Sequence, residues 1–174
     1  MIPTGKVLME VFTLVHVAIS LAGILSGLVA LFGLIGGKRL DGWTAVFLIT
    51  SIATSVTGFF FPFHGVTPGI VIGILSLIVL AIAVVARYPR QMAGAWRNTY
   101  VITSAIALYF NFFVLVAQLF RRVPALKELA PTQSEPPFLV AQLVIMAAFI
   151  ALTVLAVKNF HATEAAPGVR TASA

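Results

Sequence analysis

The stretch that decides the reading is residues 43–86, WTAVFLITSIATSVTGFFFPFHGVTPGIVIGILSLIVLAIAVVA, in which no Lys, Arg, Asp or Glu occurs. A single membrane crossing takes about 20 apolar residues. A charge-free run of this length is too long for one crossing and suits two crossings joined by a tight turn. The turn lies in the middle of it. FFFPFHGVTPG, residues 59–69, holds Pro62, Gly65, Pro68 and Gly69. Proline stops a helix because it lacks an N–H and crowds the preceding turn, and glycine admits the backbone angles of a reversal. The segment is therefore read as a hairpin bend with His64 at its tip. Its arms run from about Trp43 to Phe61 and from about Gly69 to Ala86.

The rest of the chain has the same character. Of its 174 residues 60% are hydrophobic and 9% charged, and there is no cysteine. The mean hydropathy is +1.08. Soluble domains carry about 25% charged residues, so the solvent for most of this chain is expected to be lipid. The absence of cysteine excludes disulfides, thiolate metal sites and cysteine nucleophiles. The net charge is +6, but the cations lie in the short segments between apolar runs, where they set membrane orientation. The lipid bilayer is the expected partner, and nucleic acid is not.

Three further apolar stretches qualify as spans. The first lies within Val7–Ile35, the fourth runs from about Thr99 to Phe120 and the fifth from about Phe138 to Val157. The first is far longer than the roughly 7–15 residues of a signal-peptide core, and it is read as a retained span. Each span is expected to be helical, because backbone polar groups in lipid must be satisfied within their own segment. The expectation is an all-α, polytopic integral membrane helix bundle with five transmembrane helices. Residues 1–159 form its single membrane domain, and residues 160–174 form a flexible cytoplasmic tail.

Five crossings place the two ends on opposite sides. With the N-terminus outside, Lys38, Arg39, Arg87, Arg90, Arg97, Lys158 and Arg170 lie inside, against Lys6, Arg121, Arg122 and Lys127 outside. The excess of inner cations favours this orientation, with the C-terminus inside. Trp43, Tyr88, Trp96 and Tyr100 fall at the inner edge, where amphipathic rings favour the headgroup zone. The short loops and absent cysteines fit a multi-pass protein of a bacterial cytoplasmic (inner) membrane. On the outer side, VPALKEL within residues 121–137 is expected to form one short amphipathic turn of helix, followed by an extended path through three prolines.

Polar groups inside a membrane are costly and should face the bundle interior. The first span carries His16, Ser20, Gly23 and Gly27 on one face. Ser20, Gly23 and Gly27 are read as a helix-packing surface, since Gly23 and Gly27 make a GxxxG pattern that lets a neighbour approach closely. The fourth span carries Ser104, Asn111 and Gln118 at intervals of seven, and the fifth carries Gln142 near its outer end. With Glu10 and His64 these make the expected ligand-binding set in the outer half: Glu10, His16, His64, Asn111, Gln118 and Gln142. Glu10 is also within reach of an ion pair with Arg121 or Arg122.

Two classes of function follow. The first is a non-enzymatic membrane protein: a scaffold, an accessory subunit, or a binder of a lipid-like small molecule at an outward-facing polar site, with a homo-oligomer or a partner membrane subunit as its assembly. The second is a redox or transport component that uses His16 and His64 with haem, quinone or metal. The first is favoured. A membrane haem wants two axial side chains at equal depth, and His64 is expected in a bend. No spacing demands a metal, and no residue is assigned a catalytic role. No Walker loop, nucleophile elbow or GxGxxG occurs in the chain.

Overall fold

A computed structural model describes residues 4–62 and 68–161. They form six helices in chain order: α1 (Thr4–Ile35), α2 (Asp41–Gly58), α3 (Pro68–Arg87), α4 (Ala95–Arg122), α5 (Pro124–Leu129) and α6 (Pro136–Asn159). The charge-free run is divided as its breakers require, with α2 and α3 as two helical arms. Residues 63–67 of the expected bend, with His64, lie outside the described residues, as do residues 162–174 of the expected tail. The short helix expected in VPALKEL is α5, and α6 starts at the Pro136–Pro137 pair, where proline's missing N–H costs the first helical turn nothing.

Four helices are long and apolar enough to cross a membrane: α1 from Gly5, α3, α4 and α6. The sequence leads to an expectation of five. The difference is α2, which has 18 residues and spans about 27 Å at 1.5 Å per residue. Asp41, Gly42 and the hydroxyls of Thr44, Thr50, Ser51, Thr54, Ser55 and Thr57 dilute its apolar content. Some of these hydroxyls bond back to their own helix: Thr50 donates to the Val46 carbonyl at 2.7 Å. Such back-bonding spares a side-chain donor from facing lipid unpaired.

The turns at one end of the bundle close the helices tightly. After α1 the backbone turns left-handed at Gly37, with φ of 69°. Lys38 N–H then reaches the Gly33 carbonyl at 2.8 Å and Gly37 N–H the Leu34 carbonyl at 3.0 Å, which satisfies carbonyls the helix would otherwise leave open. After α3 the chain passes through Gln91 and Met92 at positive φ, and Met92 N–H donates to the Ala86 carbonyl at 2.9 Å.

Helix α4 is the axis. It packs against each of the other five helices, while α1 packs on α2, α2 on α3, and α1 on α6. Helices α3 and α4 pack closely, and the small side chains Ala83 and Ala86 on α3 and Ala105 and Ala107 on α4 are all buried. Around them Leu31, Phe47, Leu80, Tyr100, Leu108 and Phe160 form the main core cluster. The polar and apolar surfaces are inverted relative to a water-soluble protein. Ser26, Thr44, Ser51, Ser76, Thr103, Ser104, Arg87 and Gln142 are buried, while Leu14, Leu25, Ile78, Val140, Val144 and Ile150 are exposed. Lipid tails are as apolar as leucine, so exposing leucine costs nothing there and polar groups serve the interior. The least apolar of the four candidate spans, α4, is also the most buried.

Candidate functional site

His16 projects from α1 toward α2. Its Nδ1 lies 2.8 Å from the Thr57 hydroxyl, and Phe61 meets its ring edge-on at a centroid distance of 5.0 Å. Gly58 leaves room beside the imidazole: a Cβ there would come within 3.8 Å of His16 Cε1. The Thr57 hydroxyl also lies 2.7 Å from the Ala53 carbonyl. A hydroxyl has one hydrogen. When it goes to Ala53, His16 Nδ1–H donates to Thr57 and the other ring nitrogen keeps a bare lone pair. When it goes to His16, that other nitrogen carries the proton. Thr57 therefore sets the tautomer of the imidazole.

Asn111 and Gln142 are spent at other helix interfaces. Asn111 on α4 donates its Nδ2–H to the Ser51 hydroxyl of α2 at 3.0 Å. Gln142 on α6, 6% exposed, donates Nε2–H to the Phe113 carbonyl of α4 at 3.1 Å, and its Oε1 is buried with no partner. Gln118 is exposed and accepts from Arg122 Nε at 3.4 Å. Each heptad drifts by about 20° on a straight helix, which takes Gln118 off the seam that Ser104 and Asn111 begin. Glu10 is exposed. The ion pairs among the described residues are Arg39–Asp41 and Arg87–Asp41, so Glu10 pairs with neither Arg121 nor Arg122. His16, Asn111 and Gln142 thus bond across three different helix pairs. No three His, Asp or Glu side chains among the described residues come within reach of one metal ion.

The glycine face of α1 makes its close approach. A Cβ on Gly27 would sit 2.6 Å from Leu108 Cδ1 and 2.7 Å from Phe47 Cδ2, and one on Gly23 would sit 3.1 Å from the Thr50 hydroxyl. Ser20 donates to the His16 carbonyl at 2.7 Å. Beside Gly27 a gap of about 10 Å³ lies between α1, α2 and α4, lined in part by Tyr100 and by Ser104, whose hydroxyl has no partner. That is room for about one water.

A second polar centre, at the opposite end of the bundle, was not among the expected site residues. Arg87, the last residue of α3, has a side chain 2% exposed, and it pairs with Asp41, the first residue of α2, whose side chain is 64% exposed. Asp41 also accepts from Arg39 Nε at 2.7 Å. The Arg87 guanidinium lies over the rings of Tyr100, at 5.1 Å, and Tyr88, at 5.7 Å. Tyr100 in turn donates to the Thr44 hydroxyl at 3.4 Å. The hydrogen bond from Arg39, then the charges of Arg39 and Arg87, hold the Asp41 carboxyl below its usual range against opposing desolvation. The signal for this pair was present in the sequence. Asp41 and Arg87 are the opposite charges that bound the charge-free run, and an antiparallel hairpin with arms of similar length brings its two ends together.

No family model matches the chain, and searches of the curated proteins and of the solved structures find no match either.

Proposed function

We propose that the protein is a five-span membrane protein, N-terminus outside and C-terminus inside a bacterial cytoplasmic membrane, acting as a non-enzymatic scaffold or accessory subunit. The fifth crossing is α2, which runs from the Asp41–Arg87 end of the bundle to the His16–Thr57 end. The observation that carries the functional reading is the use of the interior polar groups. His16, Asn111 and Gln142 each bond across a different pair of helices, α1–α2, α4–α2 and α6–α4. Side chains used in this way join helices and do not converge on a substrate. The test is native mass spectrometry of the full chain extracted in mild detergent, together with its visible spectrum. A colourless assembly of defined stoichiometry, with itself or with another membrane polypeptide, is the expected result. A monomer carrying stoichiometric haem, quinone or metal refutes the reading.

One observation favours the second reading, a redox or transport role for His16. Thr57 holds Nδ1, and ligating histidines are oriented in this way through their second nitrogen. In that case a Soret band or bound metal is lost in His16→Ala and weakened in Thr57→Val.

A further inference from the structure

We propose that the end of the bundle formed by the 36–40 turn, the 88–94 turn and the C-terminus of α6 binds anionic phospholipid headgroups. Tertiary contacts gather these three segments. Arg87 at the end of α3 pairs with Asp41 at the start of α2. Asn159 of α6 donates to the Ile35 carbonyl of α1 at 3.1 Å. Met92 and Phe160 are buried in one cluster with Leu34 and Ala86. These contacts bring Lys38, Arg39, Arg87, Arg90, Arg97 and Lys158 to a single end of the molecule.

The charge at this end is unbalanced. Asp41 is its only carboxylate among the described residues, and Arg39 and Arg87 both engage it. Lys38, Arg90, Arg97 and Lys158 form no ion pair among the described residues, and Lys38, Arg90 and Lys158 are exposed. The opposite end is nearly balanced, with Lys6, Arg121, Arg122 and Lys127 beside Glu10, Glu128 and Glu135. A basic end of this kind draws a phosphate-bearing ligand.

The aromatic residues identify the source of that phosphate as lipid. Trp43 and Tyr88 are each 51% exposed at the same end. The Arg90 guanidinium lies 5.0 Å over the Trp96 ring. Exposed Trp and Tyr rings sit at headgroup level, and the exposed Ile78, Ile82 and Val85 of α3 continue below them as a surface for acyl chains. The proposal needs this end to reach a bilayer surface. It does not depend on the sidedness or on the number of crossings.

The experiment is native mass spectrometry of the full chain in detergent, titrated with phosphatidylglycerol or with phosphatidylcholine of the same acyl chains. Phosphatidylglycerol should be retained in preference. Each surface cation contributes about 1 kcal/mol to anionic lipid binding, or roughly five-fold in affinity. The triple variant K38Q/R90Q/K158Q should therefore bind phosphatidylglycerol roughly 100-fold more weakly. The triple variant R121Q/R122Q/K127Q at the other end should bind as the parent does. Lys158→Glu alone supplies the same test should the basic-end triple lose its helical circular dichroism. Equal retention of the two lipids overturns the proposal while leaving the membrane reading standing. Equal loss in both triple variants, or displacement of the lipid by millimolar inorganic phosphate, overturns it as well.

Discussion

The Asp41–Arg87 pair is lopsided, and that asymmetry makes a sharp prediction. Arg87 is almost wholly enclosed, whereas Asp41 faces solvent and has a second partner in Arg39. Replacing Asp41 with Asn leaves a buried guanidinium without a counter-charge. Breaking a buried pair in this sense costs about 3–5 kcal/mol, and the lower end applies because the lost carboxylate was exposed. Replacing Arg87 with Met leaves an aspartate that water and Arg39 still satisfy. The loss is then a half-exposed ion pair worth about 0–1 kcal/mol and a cation–π contact worth about 1–2 kcal/mol. It is offset by removing a buried charge whose Nε has no hydrogen-bond partner. The expected order is Asp41→Asn at about 3 kcal/mol and Arg87→Met at about 1 kcal/mol. The assay is unfolding of the purified protein in mixed micelles by denaturing detergent, followed by far-ultraviolet circular dichroism. The acid dependence has a definite sign. The folded Asp41 pKa lies below its unfolded value, so its contribution is complete above the unfolded value and fades as pH falls through the folded one. The parent should lose stability across that acid window, and Asp41→Asn should show less of this loss. A larger cost for Arg87→Met than for Asp41→Asn would refute the assignment of Arg87 as the buried partner.

Three further outcomes follow from the packing. Gly27→Ala forces a methyl against Leu108 and Phe47 and should cost about 1–3 kcal/mol by the same unfolding assay, whereas Gly42→Ala, with nothing within 4 Å, should cost far less. A double-mutant cycle with His16→Ala and Thr57→Val should give a coupling of about 0.6–1.7 kcal/mol; additivity would show that the two side chains do not interact. Gln142→Leu removes one interhelical hydrogen bond together with a buried acceptor that has no partner. The two effects oppose each other, so thermal unfolding should shift stability by less than about 1 kcal/mol, and a loss of several times that would mean that Oε1 is satisfied in the folded protein.

Most of the helical framework was legible because it rests on one-dimensional properties. Length of apolar run, proline and glycine placement, and charge-free stretches are read along the chain, and they located α1, α2, α3, α4 and α6 to within a few residues. They also located α5 in VPALKEL. The α2 segment shows where this legibility ends. Its charge-free neighbourhood reads as a span, yet its hydroxyls and its acidic start leave it outside the four helices that are long and apolar enough to cross a membrane.

By itself the sequence determined that the chain folds into helices, four of them long and apolar enough to cross a membrane, because long apolar runs with few charges are read along the chain, and it determined where each helix starts and stops, because breakers act locally. Tertiary structure alone decided which polar side chains meet. A helix wheel places His16 and Asn111 on inward faces, but it does not say that one reaches Thr57 and the other Ser51, since that depends on which helices become neighbours and at what depth. The burial of Arg87 was decided in the same way: a charge at a helix end belongs to water until the antiparallel return of the chain sets Asp41 and two tyrosine rings around it.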